Sequence, residues 1–270
     1  MEPFVQLTTE QHFVRYKLYK RSEWVRDDDD LDYLSGIMGI PQADIAQIIE
    51  DCQKKCSGYC ALLKQQMQPQ DVLEGRSAKI AFIGDSLTSE REGYFNVIRE
   101  FLADNPNIEL IDLGISGAKI ADAADGIYEG VLDKKPTIAH ILIGTNDART
   151  HKNAYMKCNV SVDEYEKILE YMVRLLKDYQ IKTIISILPM ADNDGMRRYY
   201  SSRNYWYENE EILKYNQAIR AVAVKYGAMV NEWYDETEDP KEYLCCDGIH
   251  LSGDGAVRVA KGVLAFLTQL

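Results

Sequence analysis

From Ser77 onward, short apolar runs alternate with amphipathic segments. "AKIAFIG" (78–84), "IELIDLG" (108–114), "TIAHILIG" (137–144), "IKTIISILP" (181–189) and "GAMVNEW" (227–233) each have the length and β-branched content of a buried strand. The stretches between them repeat at helical spacing. Ser161-Val162-Asp163-Glu164 reads as a capping box, and Tyr165, Ile168, Leu169, Met172, Leu175 and Leu176 then step by three and four along one face. Strands that are apolar throughout, separated by amphipathic helices, predict a parallel sheet covered on both faces, an α/β fold in a three-layer α/β/α sandwich. In such a sheet ligands bind beyond the carboxyl ends of the strands.

The first third of the chain follows a different pattern. A helix is predicted to start near Pro41, with Ile45, Ile48, Ile49, Cys52, Cys56, Tyr59, Cys60 and Leu63 forming one apolar stripe. The three cysteines complete that stripe, their spacing is not a usual zinc pairing and no histidine lies nearby, so they read as buried thiols. "DDDDLD" (27–32) reads as a solvated turn, because a calcium loop would need glycine where Tyr33 stands and glutamate where Gly39 stands. Residues 13–25 mix aromatic and basic residues and fit strand or loop equally. The polar stretch 65–76 reads as a linker. The organisation expected is a mainly helical N-terminal extension, residues 1–76, followed by an α/β domain, residues 77–270.

Composition narrows the partners. The 270 residues carry 31 basic and 43 acidic side chains, a formal net charge of -12. Phosphate binding needs a clustered excess of Lys and Arg, so nucleic acid and anionic membranes are excluded as expected partners. No run approaches the roughly 18 apolar residues of a membrane helix, and the first residues lack a basic segment followed by an apolar one, so a cytoplasmic location is the expectation. Six cysteines in a chain of this size read as reduced thiols.

The strand ends carry the chemistry. The first ends in Gly84-Asp85-Ser86-Leu87, the second in "DLGISG" (112–117) and the third in Gly144-Thr145-Asn146-Asp147, while Asp247-Gly248-Ile249-His250 precedes the last predicted helix. A serine hydroxyl needs a base within hydrogen-bond reach, and the base needs an orienting group. His250 and Asp247 can fill those two roles for Ser86. The oxyanion formed on attack needs preorganised donors, for which the N–H groups of Ser86 and Gly117 and the Asn146 amide are candidates.

These four blocks, in this order, resemble the SGNH (GDSL-type) hydrolases across roughly residues 78–270. The resemblance implies a flavodoxin-like five-stranded parallel sheet, Ser86, Asp247 and His250 as catalytic triad, Ser86, Gly117 and Asn146 as oxyanion hole, and no cofactor or metal. It also implies a small-molecule ester as substrate, drawn from O-acetylated carbohydrates, short acyl esters, lysophospholipids or thioesters, with acetyl and short acyl esters favoured here. The α/β-hydrolase elbow Gly-x-Ser-x-Gly does not fit, since Thr88 stands two residues after the serine. Acyl transfer to an alcohol by the same acyl-enzyme, or a non-catalytic module binding an acylated ligand or partner, are the alternatives.

Around this centre, Asp85 and Asp147 are expected to brace their own loops, and His140 to be a hydrogen-bonded core residue. His151 is a candidate substrate contact. The long aromatic segment after the fourth strand offers Tyr199, Tyr200, Tyr205 and Trp206 as a lid or stacking wall, or alternatively as packing for its own loop.

Overall fold

The structure, a computed structural model, describes residues 7–18, 30–151, 158–200 and 205–270. Among the described residues three α-helices precede the sheet: α1 (Thr9–Arg15), α2 (Leu31–Met38) and α3 (Gln42–Lys64). Residues 9–15, partly within the stretch that fitted strand or loop, are helical because Thr8 and Gln11 form a reciprocal capping box. The Thr8 N–H donates to Gln11 Oε1 at 2.9 Å and the Gln11 N–H to Thr8 Oγ1 at 3.2 Å. Asp30 caps α2, and residues 27–29 of the acidic run lie outside the described residues. Residues 19–25 do as well.

β1 (Ala78–Gly84) leads through the single turn α4 (Ser86–Ser89) and α5 (Tyr94–Phe101) to β2 (Ile108–Gly114). α6 (Ile120–Asp125), β3 (Ile138–Leu142), the short α7 (Thr145–Ala148) and β4 (Arg149–His151) follow. The chain continues with α8 (Val162–Asp178), β5 (Lys182–Ser186), α9 (Asn193–Tyr199), β6 (Tyr205–Tyr207), α10 (Asn209–Tyr226), β7 (Met229–Asn231) and α11 (Gly253–Leu267).

All five strands expected from the apolar runs join one parallel sheet in the order β2-β1-β3-β5-β7. β1 lies between β2 and β3, and these two neighbours connect in opposite directions, which opens a crevice at its carboxyl end. β1 and β3 are buried nearly throughout, as expected for strands covered on both faces. The fold is therefore the three-layer, flavodoxin-like sandwich read from the sequence, preceded by a helical N-terminal region.

That N-terminal region shares the main core. Cys56, Cys60 and Leu63 of α3 belong to it, and α3 lies against α5 and α11. The approach is close: a Cβ on Gly253 would sit 2.1 Å from the Tyr59 ring. Burial pushes the Cys52 and Cys56 thiols up to about 12, as inert packing residues require. Val14, Leu34, Ile45 and Ile49 make a smaller cluster joining α1, α2 and α3. The polar stretch 65–76 is anchored where it was expected to be a plain linker, because Val72 and Leu73 bury themselves in the main core.

A second motif, β4 paired antiparallel with β6, borders the carboxyl edge of the sheet's connections. Its register sets His151 opposite Tyr205 and Thr150 opposite Trp206. No described helix is long and apolar enough to cross a membrane.

Candidate active site

Ser86 opens α4 at the end of β1. As first residue of a helical turn its N–H has no carbonyl four residues back to bond. Asp85 caps the turn, accepting the Leu87 N–H on Oδ1 at 2.9 Å. The turn is tight against the sheet: a Cβ on Gly84 would lie 2.0 Å from Thr88 Oγ1 and 2.5 Å from the Leu142 carbonyl. Only glycine lets the serine turn settle there.

Asp247 and His250 occupy a closed loop between Leu244 and Leu251, which form an antiparallel bridge. The Cys245 N–H donates to the His250 carbonyl at 2.8 Å. Gly248 has φ +75, and a Cβ there would meet the Asp192 carbonyl oxygen at 2.1 Å, so the loop needs glycine both for its turn and for its seat against α9. Within the loop Asp247 Oδ1 accepts the N–H groups of Ile249 and His250, each at 3.0 Å, and the Cys245 thiol at 3.0 Å. Oδ2 receives His250 Nδ1 at 2.6 Å and the Tyr200 hydroxyl at 3.2 Å.

On the other side of the imidazole, the Ser86 hydroxyl lies 3.0 Å from His250 Nε2. With the Nδ1 proton directed at Asp247, Nε2 is the acceptor and Ser86 the donor. Asp247 and His250 are 2 % and 8 % exposed, whereas Ser86 is only half-buried, so the hydroxyl is the member of this chain that a ligand can reach. Burial pulls the imidazole pKa down, but the Asp247 carboxylate outweighs it and raises His250 above its ordinary value. Burial works against the Asp247 carboxylate too, and the His250 charge and hydrogen bonds hold it well below the usual carboxylate range.

Gly117 and Asn146 close the crevice from the neighbouring strand ends. Gly117 is exposed at φ +80 in the loop after β2. The Asn146 amide donates to the Ala118 carbonyl at 3.0 Å and reaches Asp85 Oδ2 at 3.5 Å. The second contact is at the limit of a hydrogen bond, leaving an N–H that an incoming anionic oxygen can compete for. Asp147 ties the same two loops together by accepting the Ile120 N–H on both oxygens, at 3.1 and 3.2 Å. Asp85 braces its own serine turn as expected, whereas Asp147, expected to hold its own loop, reaches across to the N–H of Ile120 after β2. Burial raises Asp85 to about 6 and Asp147 to about 7.

Beneath the site, His140 is fully buried and bonded to the Tyr94 hydroxyl at 3.1 Å and to Ser186 Oγ at 2.8 Å; burial lowers it to about 3, so it stays neutral. The aromatic segment is more varied than a single wall. Tyr199 is buried, and its hydroxyl accepts the Leu7 N–H at 3.1 Å. Tyr200 sits on Asp247, while Trp206, half-buried, donates its indole N–H to Glu208. His151 and Tyr205 pair across the β4–β6 ribbon, and their side chains lie outside the described residues.

Residues 14–17 also reach this centre, which composition alone did not signal. The Tyr16 ring lies on His250, with centroids 4.1 Å apart and planes tilted by 30°. Arg15 forms ion pairs with Glu90 and, at 3.1 Å, with Glu92. Lys17 pairs with Asp112 at 3.1 Å. Two signals were available: the Thr8-to-Gln11 capping box, which places a helix just before Tyr16, and the acids of "SEREG" directly after the serine turn, which need cations once buried.

Comparison with known proteins agrees with the fold. An acetylxylan esterase of Geobacillus stearothermophilus is 33% identical over 147 residues, 46% of this chain and 67% of that protein. The isoamyl acetate-hydrolyzing esterase of Saccharomyces cerevisiae is 28% identical over 125 residues, 44% of this chain and 51% of its own length. Among solved structures, the acetylxylan esterase Axe2 of Geobacillus stearothermophilus matches with a TM-score of 0.56 and 22% identity over 72% of this chain and 95% of that one. Solved catalytic mutants of Axe2 replace a serine, an aspartate and a histidine with alanine. The profile of the GDSL-like Lipase/Acylhydrolase family matches residues 82–258, and with well over half of its length so matched the chain belongs to that family and is an esterase of it.

Proposed function

We propose that the enzyme hydrolyses small acyl esters, acetyl esters of carbohydrates foremost, through an acyl-enzyme on Ser86. The observation that carries this reading is the continuous relay from Ser86 Oγ to His250 Nε2 at 3.0 Å and from His250 Nδ1 to Asp247 Oδ2 at 2.6 Å. In the first half-reaction Ser86 Oγ attacks the ester carbonyl carbon while its proton passes to His250 Nε2. The carbonyl oxygen becomes an oxyanion, which accepts hydrogen bonds donated by the Ser86 and Gly117 N–H groups and by the Asn146 amide. His250 then gives its proton to the departing alkoxide oxygen, and the alcohol leaves. Water enters, loses a proton to His250 and attacks the acyl carbon; collapse of that intermediate returns the proton to Ser86 and frees the acid. Asp247 keeps the imidazole in one tautomer throughout and stabilises its cation.

The acetylated-carbohydrate reading draws on the likeness to acetylxylan esterase and on the β4–β6 ribbon, which begins at Arg149 just after the Asn146 turn. Trp206, with His151 and Tyr205 beside it, is assigned to the alcohol side of the substrate, where an aromatic face suits a sugar ring. The six free thiols favour the reducing cytoplasm. The test is release of acetate from acetylated xylo-oligosaccharides and from p-nitrophenyl acetate by wild type and Ser86→Ala. Turnover of both esters that Ser86→Ala lacks supports the reading. Equal release by the two proteins sinks the mechanism, and turnover of the phenyl ester alone sinks the carbohydrate assignment.

A further inference from the structure

We propose that Tyr16 is a positioning residue for His250, and that residues 14–17 are a fixed wall of the catalytic centre. This inference rests on the esterase reading above. Hydrogen bonds at Nδ1 and Nε2 hold the imidazole along its edge, but they leave it free to rock about the line joining the two nitrogens. A ring packed on one face removes that freedom. Tyr16 is placed to do so: it is 2 % exposed and stacks on His250 at 4.1 Å between centroids, and the His12 ring backs it from 4.8 Å.

The contact has a chemical consequence as well as a geometric one. His250 becomes a cation only when it takes the Ser86 proton, and a neutral aromatic face attracts imidazolium more strongly than imidazole. Burial raises the Tyr16 phenol well above its ordinary value, so the ring remains neutral. An interaction that strengthens as the reaction proceeds acts on kcat more than on KM.

The anchoring distinguishes a wall from a lid. Arg15 pairs with Glu90 and Glu92, the Arg91 N–H donates to the Arg15 carbonyl at 3.0 Å, Arg91 Nε donates to the Val14 carbonyl at 3.1 Å, and Lys17 holds Asp112. The Glu90 and Glu92 side chains are only 1 % and 6 % exposed. Lys55 also reaches Glu92, but withdrawing the segment would strip Glu90 of its ion pair while it stayed buried, a costly state for a carboxylate. The segment is therefore built in, and it joins the connection after β1 and the strand β2 to the His250 loop.

The experiment compares kcat and KM on p-nitrophenyl acetate for wild type, Ser86→Ala, Tyr16→Phe and Tyr16→Leu, with urea melts to establish folding. Tyr16→Phe keeps the ring and should stay within about twofold of wild type. Tyr16→Leu keeps apolar bulk without the ring face and should lose roughly tenfold in kcat, the scale of a desolvated cation–aromatic contact, with KM nearly unchanged. Tyr16→Met takes its place if the leucine variant does not fold. Wild-type kcat in the aliphatic variant, a loss confined to KM, or an equal fall in Tyr16→Phe would each overturn the proposal. Wild type no faster than Ser86→Ala would instead overturn the esterase reading itself.

Discussion

Asp247 and Asp147 are both carboxylates buried at the carboxyl edge of the sheet, yet their surroundings drive them in opposite directions. Asp247 receives two backbone N–H groups, a thiol, a phenol and the imidazole of His250, and it is held ionised. Asp147 receives the Ile120 N–H on both its oxygens and feels the neighbouring Asp85, and burial pushes it up to about 7. Burial penalises charge in both, so the donors decide the outcome. One acid serves as a permanent anion facing a base, the other as a strut that ties the Gly117 and Asn146 loops together.

The sharpest way to break this contrast is Asp247→Asn. The amide cannot stabilise imidazolium and favours the wrong tautomer, so kcat should fall on the order of 10⁴-fold. The pH profile of the residual activity checks the cause. The proposed mechanism requires the base form of His250, whose pKa is raised, so the acid limb of the wild type should have its midpoint above the ordinary imidazole value of about 6.5. Without the carboxylate, burial and the Arg15 charge outweigh the remaining pull of Glu90 on the imidazole, and the midpoint should move down. An unmoved limb would mean that Asp247 does not set the base.

Asp147→Asn should give the opposite signature, with activity reduced far less and stability altered in a pH-dependent way. A carboxyl raised in the fold binds its proton more tightly there than in the unfolded chain. Its contribution to stability is therefore fully present below about pH 4 and is lost as pH rises to about 7, by up to about 1.4 kcal/mol per pH unit. Asparagine removes that loss. Urea melts should thus show the variant gaining on wild type between about pH 4 and pH 7, and a constant difference would contradict the assignment. Tyr200→Phe is the mildest change. It removes one of the donors to Asp247, and about 1 kcal/mol, or about fivefold in kcat, is the expected scale; a loss as large as that of Asp247→Asn would show the phenol to be part of the chemistry.

The same two loops show how far the sequence could be read. "DGIH" was legible because its donors and acceptors are local, whereas Asn146 and Asp147 of "IGTND" bond Ala118 and Ile120 of another loop. Asp247 bonds residues two and three positions on, and Gly248 must turn at positive φ. The five strands were legible because burial on both faces writes an uninterrupted apolar run. Tyr16 was not legible, since its contact with His250 depends on where α1 packs, and that depends on α2, α3 and ion pairs to acids following the serine turn. Tyr200 was read as part of a lid or stacking wall, or as packing for its own loop, because an aromatic cluster at a strand end gives no sign of which hydroxyl will reach a buried carboxylate. The linker reading of 65–76 missed Val72 and Leu73 for a related reason: two apolar residues are too few to show a period.

The central claim is that His250 and Asp247 activate Ser86 and no other serine. Intact-mass measurement after treatment with a fluorophosphonate probe tests it directly, on wild type, Ser86→Ala and His250→Ala. The account predicts one adduct on wild type, mapped to Ser86, and none on either variant. An adduct that persists in folded Ser86→Ala, or a wild-type protein that hydrolyses esters without ever being labelled at Ser86, would contradict it.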